Sequence, residues 1–147
     1  MIAGIQIGDA RRFSVPCDQK HPILYNPVIT KMYDPVKKNE DCLSFPGMNL
    51  TGVPRYRYVE FTYLNEDWEE VNAVAGDDPN FFHDTIMAQA VQHEVDHFSG
   101  KLFFDDLSYK AKFRAIAEAH RCFAQYTRNN KRVLLHEGPT STFDKSM

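Results

Sequence analysis

The residues from 84 to 98 constrain the fold more than any other part of the chain. Their periodicity predicts a helix that Asp84 or Thr85 caps and that ends just before Gly100. Apolar residues lie on more than one side of it: Ile86, Met87, Ala90, Val91, Val95 and Phe98. A helix of this kind is mostly buried, so the remainder of the chain has to pack around it.

Upstream of this helix, the sequence predicts short strands that are separated by turns. Residues 23–25 and 28–32 are predicted strands on either side of Asn26-Pro27. A polar turn is predicted over residues 34–39, and residues 42–45 form a further short strand candidate. The proline positions therefore predict that no long strand runs through this region.

A hairpin and a second helix complete the predicted elements. Residues 55–64 alternate between apolar and polar side chains, which is typical of a half-buried strand, and residues 68–75 return after a polar turn. A helix is predicted from residue 109 to about residue 130, and residues 138–147 are expected to form a flexible tail. The apolar stripe of that helix comprises Phe113, Ile116, Ala117, Phe123 and Ala124. Because strands precede helices, the predicted class is α+β.

Length, charge and cysteine usage exclude several kinds of protein. The chain has 147 residues, the length of one domain, and we place that domain at residues 1–137. A net charge of −3 disfavours a DNA-binding protein, and no apolar run approaches the roughly 20 residues of a membrane span. The first eight residues lack the features of a signal peptide. The odd set of Cys17, Cys42 and Cys122 indicates a reducing, cytoplasmic location.

The residues that carry chemistry lie on the predicted buried helix, in the run from Gln92 to His97. His93 and His97 are four residues apart, so their imidazoles share one face and can bind a single metal ion. Glu94 lies beside them and can handle the proton of a metal-bound water. The alternative is a buried helix that merely contains two histidines.

The spacing alone leaves the third metal ligand open. Position 103 is phenylalanine, where a metzincin has its third histidine. Glu118 follows His97 by 21 positions, as in a thermolysin-like arrangement, and Cys42 precedes His93 by 51 positions. Both residues remain candidates at this point.

Three segments, in the same order along the chain, resemble motifs of the peptide deformylase family. Residues 40–47, Glu-Asp-Cys-Leu-Ser-Phe-Pro-Gly, are similar to its Glu-Gly-Cys-Leu-Ser segment. Residues 92–103, Gln-His-Glu-Val-Asp-His-Phe-Ser-Gly-Lys-Leu-Phe, resemble its metal-binding helix and the turn after it. Residues 3–8 resemble the end of its first motif, Gly-Leu-Ala-Ala-x-Gln-Ile-Gly. The match extends from Met1 to about residue 106.

The resemblance implies a fold and a metal. The expected fold has small mixed or antiparallel β-sheets around a central buried helix that carries His-Glu-x-x-His, followed by a C-terminal helix. The expected ligands are Cys42, His93 and His97, with Fe(II) as the metal in the cell and Zn(II) or Ni(II) as alternatives.

The resemblance also implies an activity, the removal of the N-formyl group from the initiator methionine of nascent polypeptides with release of formate. Glu94 would move the protons, and the Gln6 side chain and the Leu43 backbone N–H would stabilise the oxyanion. Ile86 and Ala90 are predicted to line the pocket for the methionine side chain. A degenerate deformylase-like protein with little activity, a small zinc endopeptidase and a metal-stabilised binding module remain as alternatives.

Several positions bear on how far the resemblance reaches. Met1 stands where the family has a glycine, so its N-terminal helix and preceding strand are expected to lie outside this sequence, leaving apolar surface exposed. Asp41 replaces a glycine, and Gly4 replaces an alanine and is expected to loosen the backbone near Gln6. Following the family's habit, Arg55 is predicted to pair with the glutamate at position 40 and to hold the segment around Cys42.

Charge is divided between the body of the chain and the second helix. Residues 60–106 contain 12 acidic residues and one basic residue, whereas residues 108–132 contain seven basic residues and one acidic residue. A C-terminal helix docks bacterial members of the family on the ribosome, which implies a similar contact here. The predicted contacts to ribosomal RNA are Lys110, Lys112, Arg114, Arg121 and Arg128. A solvated basic face is the alternative.

Overall fold

Within the residues that the structure describes, five strands form one antiparallel sheet. The computed structural model describes residues 1–17, 20–76 and 85–136, with side chains over 1–17, 20–76 and 87–129. Its elements are β1 (Ile2–Ala3), a 3-10 helix (Gly4–Ile7), β2 (Phe13–Val15), β3 (Leu24–Asp41), β4 (Asn49–Leu64), β5 (Glu70–Gly76), α1 (Thr85–Phe98) and α2 (Tyr109–His136). The strand order is β1-β2-β3-β4-β5. The predicted α+β class is confirmed, with one sheet in place of several small ones.

Strand β3 is a single long strand, so the prediction of short pieces with a turn over residues 34–39 was wrong. Asn26 and Asp34, each directly before a proline, have positive φ angles of 49° and 61°. Asparagine and aspartate tolerate the left-handed region more readily than most residues, and each of these two precedes a proline, which has no N–H to give to the ladder. The register shifts between Tyr25 and Val28, whereas it is unchanged around Asp34, and Pro35 still pairs with Tyr56. The strand therefore continues through both prolines.

Residues 42–45 connect β3 to β4 through successive turns, so the strand predicted there was also wrong. The Phe45 N–H donates to the Cys42 carbonyl over 2.9 Å, and the Met48 N–H donates to the Phe45 carbonyl over 3.1 Å. Gly47 has a φ of 82°, which only glycine adopts readily. These turn hydrogen bonds use the backbone groups of residues 42–48 locally, so the segment does not pair as a strand.

Helix α1 lies against the sheet and is largely buried, as its pattern predicts. The core between them contains Leu24, Val59, Phe61, Ala75, Met87, Ala88 and Val91. The helix runs from Thr85 to Phe98, and Gly100 follows it with a φ of 71°. The predicted cap Asp84 lies outside the described residues.

Helix α2 is longer than predicted and packs through a different face. It continues to His136, and its buried contact is made by Ala115, with Ala119 and Cys122 partly buried. The predicted apolar stripe is instead exposed, with 67% of Phe113 and 61% of Phe123 accessible to solvent. Small side chains let the helix approach the aromatic residues Phe45, Phe103 and Phe104 closely. The tail predicted over residues 138–147 lies outside the described part of the chain.

Apolar side chains are also exposed along β3, including Val28, Met32 and Tyr33.

None of the helices in the described ranges combines the length and the apolar character that a bilayer span requires.

Candidate metal centre

Three buried side chains from two parts of the chain meet at one point. The ligand atoms of Cys42, His93 and His97 lie within 4.8 Å of one another. The Nε2 atoms of the two histidines are 3.0 Å apart, and the Cys42 Sγ lies 3.5 Å from the Nε2 of His97. Helix α1 supplies both imidazoles from successive turns, and Cys42 is the first residue after β3. The structure therefore favours Cys42 over Glu118 as the third candidate ligand.

The donor set of this cluster fits a divalent transition metal. One thiolate and two imidazoles are ligands of Zn(II) and Fe(II), and they leave a fourth tetrahedral position open. One carboxylate oxygen of Glu94, Oε2, is buried and has no hydrogen-bond partner in the structure. A buried polar atom without a partner is costly unless a ligand satisfies it. Both observations fit a site that receives a metal ion and a polar reactant.

The electrostatics of the cluster favour the thiolate form of its cysteine. Burial raises the pKa of Cys42, but hydrogen bonds with His93 and His97 outweigh burial and lower this pKa to about 6. The thiolate is the form that binds metals. The surroundings of Cys42 therefore favour the form of the sulfur that a metal ion requires.

Glu40 orients the first histidine of the cluster. The Nδ1 of His93 lies 2.6 Å from a carboxylate oxygen of Glu40. An ionised carboxylate only accepts hydrogen bonds, so Nδ1 carries a proton, and Nε2 is the ring nitrogen that faces the other two candidate ligands. Arg55 holds the same carboxylate through two hydrogen bonds of 2.6 and 2.8 Å, and both side chains are buried. The predicted ion pair of Glu40 and Arg55 is therefore confirmed.

Three further residues of the surrounding network were missed by the sequence reasoning. The second arm of Arg55 donates to Asp96 over 2.6 Å, and Gln89 donates to Glu40 over 3.1 Å. Gln92 bridges the backbone N–H and carbonyl of a residue on β4, with both distances 2.9 Å. All three lie on α1, and polar residues on a helix predicted to be buried were the signal that could have identified them as hydrogen-bonded.

The predicted oxyanion donors lie beside the cluster. The Gln6 side-chain amide donates to Ser44 Oγ over 3.0 Å and lies 3.6 Å from Cys42 Sγ. Its carbonyl oxygen accepts a hydrogen bond of 2.8 Å from the N–H of Ala3, which fixes its orientation. Leu43 lies in the turn after Cys42 with an exposed side chain. The structure thus brings both predicted donors to the side of Cys42.

A cavity of about 400 Å³ opens next to the candidate ligands. It is lined by residues that include Gln6, Cys42, Leu43, Ala90, His93 and Glu94. Ala90 therefore lies where the sequence predicts a pocket residue. Ile86 belongs to α1, but its side chain lies outside the described ones.

Glu118, the other candidate ligand, lies apart from this cluster. Its carboxylate forms an ion pair with Arg121, three residues further along α2, and accepts a hydrogen bond from Cys122. Among the described residues, the only group with metal-binding geometry is formed by Cys42, His93 and His97.

Two residues near the cluster differ from the family's motifs: Asp41 stands in place of a glycine, and Gly4 stands in place of an alanine. Asp41 has no positive φ, so no glycine is needed at this position. At Gly4, a Cβ atom would lie 2.6 Å from the Phe13 ring and 2.8 Å from the carbonyl of Arg11. Gly4 is therefore required by close packing, and the expectation that it loosens the backbone near Gln6 has no support in the structure.

Comparisons with known proteins agree with this arrangement. The sequence profile of the polypeptide deformylase family matches residues 1–113. The peptide deformylase of Thermus thermophilus is 35% identical over 116 residues, which are 78% of this chain and 55% of that protein. The peptide deformylase of Fusobacterium nucleatum is 35% identical over 136 residues, which are 90% of this chain and 70% of that protein.

Solved structures show the same fold. The crystal structure of the peptide deformylase from Thermus thermophilus has a TM-score of 0.70 at 28% identity, covering 84% of this chain and 74% of that one. The chain spans 55% of the length of the Thermus relative and 59% of a relative from Buchnera aphidicola. The family profile covers most of the chain and includes all three residues of the cluster, so the chain belongs to the polypeptide deformylase family.

Proposed function

We propose that the chain is a metal-dependent hydrolase that removes the formyl group from N-terminal formyl-methionine, with residues 1–137 as one catalytic domain. The C–N bond between the formyl carbon and the methionine nitrogen breaks, one water is consumed, and formate and a free amine are released. The observation that carries the proposal is the cluster of Cys42, His93 and His97 beside the buried, unpartnered carboxylate of Glu94.

Cys42, His93 and His97 would hold one divalent ion, with Fe(II) expected in the cell and Zn(II) or Ni(II) as alternatives. Such an ion lowers the pKa of water and polarises the formyl oxygen. Glu40 keeps the proton of His93 on Nδ1, so that the other ring nitrogen faces the cluster. Arg55 in turn fixes Glu40, which makes the ligand geometry rigid before any substrate arrives.

Glu94 would act as the proton carrier of the reaction. Burial raises the pKa of its carboxyl group above the ordinary value of 4.5. A carboxyl group with a raised pKa accepts a proton from water and returns it to the leaving amine more readily than an exposed one. Its free Oε2 gives it the acceptor atom for this role.

Gln6 and Leu43 would stabilise the negative charge on the formyl oxygen. The amide of Gln6 is held in place by Ala3 and lies beside Cys42. The N–H of Leu43 belongs to the turn that directly follows the ligand Cys42. Donors whose positions are set before the reaction lower its barrier, because they need no reorganisation.

The cavity next to the cluster would accept the methionine side chain, with Ala90 and Ile86 as its pocket residues. Its volume of about 400 Å³ is in the range of small-molecule pockets. A peptide deformylase from Synechococcus elongatus has been solved in complex with actinonin. Actinonin is therefore a suitable probe for this cavity, in addition to a substrate.

The test is formate release from a formyl-methionyl tripeptide by protein that is purified without oxygen and loaded with Fe(II) or Ni(II). We expect turnover that Glu94→Ala lowers by at least about 100-fold, because proton transfer contributes this much or more. Metal content measured on both proteins is the control. A folded, metal-loaded protein that releases no more formate than Glu94→Ala contradicts the proposal and identifies a degenerate member of the family.

The partners implied are formyl-methionyl peptides and the ribosome. For the ribosome, the support is the row of basic residues on the exposed surface of α2. Lys112 pairs with Asp105 and Arg121 pairs with Glu118, whereas the described residues form no ion pair with Lys110, Arg114 or Arg128. These three cations are the ones we expect to contact phosphates. A cytoplasmic location stays a prediction.

A further inference from the structure

Helix α2 carries a stripe of exposed apolar side chains, which we call the aromatic stripe. Its members follow one another at helical spacings of three and four residues, and all seven are exposed: Tyr109, Phe113, Ile116, Ala117, His120, Phe123 and Ala124. The exposed fraction reaches 87% for Tyr109 and 67% for Phe113. A helix face of this composition is typical of one that packs against another element.

The aromatic stripe is distinct from the two other sides of α2. The side that packs on the body of the protein holds small residues, namely Ala115, Ala119 and Cys122. At about 100° per residue, this side and the centre of the stripe point about 130° apart. The arginines at positions 114, 121 and 128 follow one flank of the stripe. The stripe is therefore neither the packed side of α2 nor the row of cations expected to contact phosphates.

The body of the protein holds a short part of this helix. The residues of α2 that join the apolar core lie between Ala115 and Cys122, whereas the helix runs from Tyr109 to His136. A helix of this length spans about 42 Å. Most of the stability of a helix in a protein comes from packing of its apolar face. A partner along the aromatic stripe would therefore stabilise the greater part of α2.

A groove of about 370 Å³ borders the stripe and is open to the same side. Helix α2 contributes Ile116, His120 and Phe123 to its lining, and the body contributes aromatic and apolar residues that include Phe45 and Phe104. The lining contains no lysine, arginine, aspartate or glutamate. The groove can therefore receive an apolar side chain of whatever lies on the stripe.

We propose that the aromatic stripe pairs α2 with α2 of a second copy of this chain, in a dimer with two-fold symmetry. Such an interface uses the same patch on both copies, so the patch has to be complementary to itself. An apolar patch without acidic or basic residues meets this condition. Phe113 and His120 are seven residues apart, as are Ile116 and Phe123, which is the repeat of a seam between two helices.

The exposed area agrees with a weak dimer. Each aromatic side chain offers roughly 150–250 Å², so the exposed fractions along the stripe give on the order of 500 Å² per copy. Two copies would bury about 1,000 Å² together, which is close to the size at which specific interfaces begin. We therefore expect a dissociation constant in the micromolar range.

The test is sedimentation velocity of the metal-loaded protein, over the full chain, from about 1 to about 300 µM. We expect a concentration-dependent shift from monomer to dimer. Phe123→Ala should raise the dissociation constant at least about tenfold, because an aromatic anchor of the interface is lost. Alanine is the best helix former, so this variant keeps α2 intact. Ile116→Arg, which places a cation in the seam, should have the same effect.

Trp68→Ala is the matched control. Trp68 is 67% exposed, as is Phe113, but it lies in the turn between β4 and β5. This variant should dimerise like the unmodified protein. Equal loss of association in Trp68→Ala and in Phe123→Ala would indicate non-specific apolar association and would overturn the proposal.

Salt separates the stripe from the charged surfaces of the protein. Association through an apolar stripe should persist when salt rises from about 0.05 to about 0.5 M, whereas pairing of the basic helix with the acidic body of another copy should dissociate. Dissociation by salt would therefore overturn the proposal. So would a monomer at every concentration, or a dimer that Phe123→Ala and Ile116→Arg leave intact.

Vesicles of anionic lipid test the other occupant that a basic amphipathic helix can have. A monomeric protein that pellets with these vesicles, and that Phe123→Ala releases, would assign the stripe to a membrane surface and overturn the dimer. Formate release is not part of any of these measurements. The inference therefore stands or falls independently of the proposed function.

Discussion

Glu40 links the candidate metal centre to the stability of the fold. It accepts hydrogen bonds from Arg55 and from His93, and all three side chains are buried. Burial opposes ionisation, but the bonds from Arg55 and His93 outweigh it and lower the pKa of Glu40 from 4.5 to about 2. Glu40 is therefore ionised throughout the pH range in which the protein is expected to function.

The lowered pKa of Glu40 predicts how the metal-free protein responds to acid. A carboxyl group whose folded pKa is depressed stabilises the fold above its unfolded pKa, and this stabilisation is lost as the pH falls. For Glu40 the loss occurs between about pH 4.5 and about pH 2. We expect Glu40→Gln to lower the unfolding free energy at pH 6 by about 3 kcal/mol, because the buried Arg55 loses one of its two carboxylate partners and keeps only Asp96.

Urea unfolding of the metal-free proteins between pH 6 and pH 3 measures this effect. The difference between the unmodified protein and Glu40→Gln should shrink as the pH falls. Glu66→Gln, an exposed residue in the turn after β4, is the control and should show no such trend. A difference that stays constant over this pH range would contradict the role assigned to Glu40.

The identity of the third ligand predicts the outcome of two alanine substitutions. Cys42 lies with the histidines, whereas Glu118 pairs with Arg121 on α2. We expect Cys42→Ala to lose the metal and Glu118→Ala to retain it, as measured by metal content after gel filtration. The reverse result would support the zinc endopeptidase. If the unmodified protein and Glu94→Ala both bind the metal and neither shows turnover, the result would support a binding module.

At the scale of the elements, Gln92 joins α1 to β4. Its side-chain amide donates to the Tyr56 carbonyl and its carbonyl accepts from the Tyr56 N–H, while a third bond reaches the Ala88 carbonyl. The side chain is buried. Because Gln92 directly precedes His93, the contact that holds the helix on the sheet also positions His93 relative to β4.

Removing this contact should weaken the fold. We expect Gln92→Leu to lower the unfolding free energy by about 1–3 kcal/mol, because a buried polar interaction is lost and the backbone groups on β4 remain without it. Urea unfolding measures the effect, and Gln125→Leu on the exposed surface of α2 is the matched control. Equal stability of the two variants would show that Gln92 does not fasten the helix.

At the scale of the whole molecule, the basic surface of α2 lies on a chain of net negative charge. The net charge is −3, yet residues 108–132 contain seven basic residues and one acidic residue. Among the side chains of this helix that the structure describes, over residues 109–129, that of Ala115 is the buried one. Of the five described cations on α2, Lys112 alone pairs with a described residue outside the helix, so the exposed part of α2 presents a positive surface.

This surface predicts a salt-dependent interaction with ribosomes. We expect binding measured by cosedimentation to weaken as salt rises, and the triple variant Lys110→Gln, Arg114→Gln, Arg128→Gln to reduce the slope of log K against log salt by about two to three. Lys37→Gln on β3 is the control for loss of a cation elsewhere. Binding that salt leaves unchanged, or no binding at all, would contradict this docking.

Features that depend on local spacing could be predicted from the residues alone. His93 and His97 share a face because four residues make about one helical turn, and Glu94 is beside them for the same reason. The apolar pattern of α1 likewise required burial. Helix α1 and the α+β order of elements could therefore be predicted from the residues, and the resemblance of three short segments selected Cys42 over Glu118 as the expected third ligand.

Features that depend on contacts between distant residues could not be predicted from local patterns and required the folded chain. Cys42 reaches His97 across 55 positions, and Arg55 reaches Asp96 across 41 positions, distances along the chain that no local periodicity encodes. Strand β3 continues through two prolines because it pairs with β4. Helix α2 packs through Ala115 and not through Phe113 because aromatic residues of the body lie against that side. The local sequence predicts which secondary structure a segment favours, whereas strand pairing and side-chain packing decide which structure it adopts.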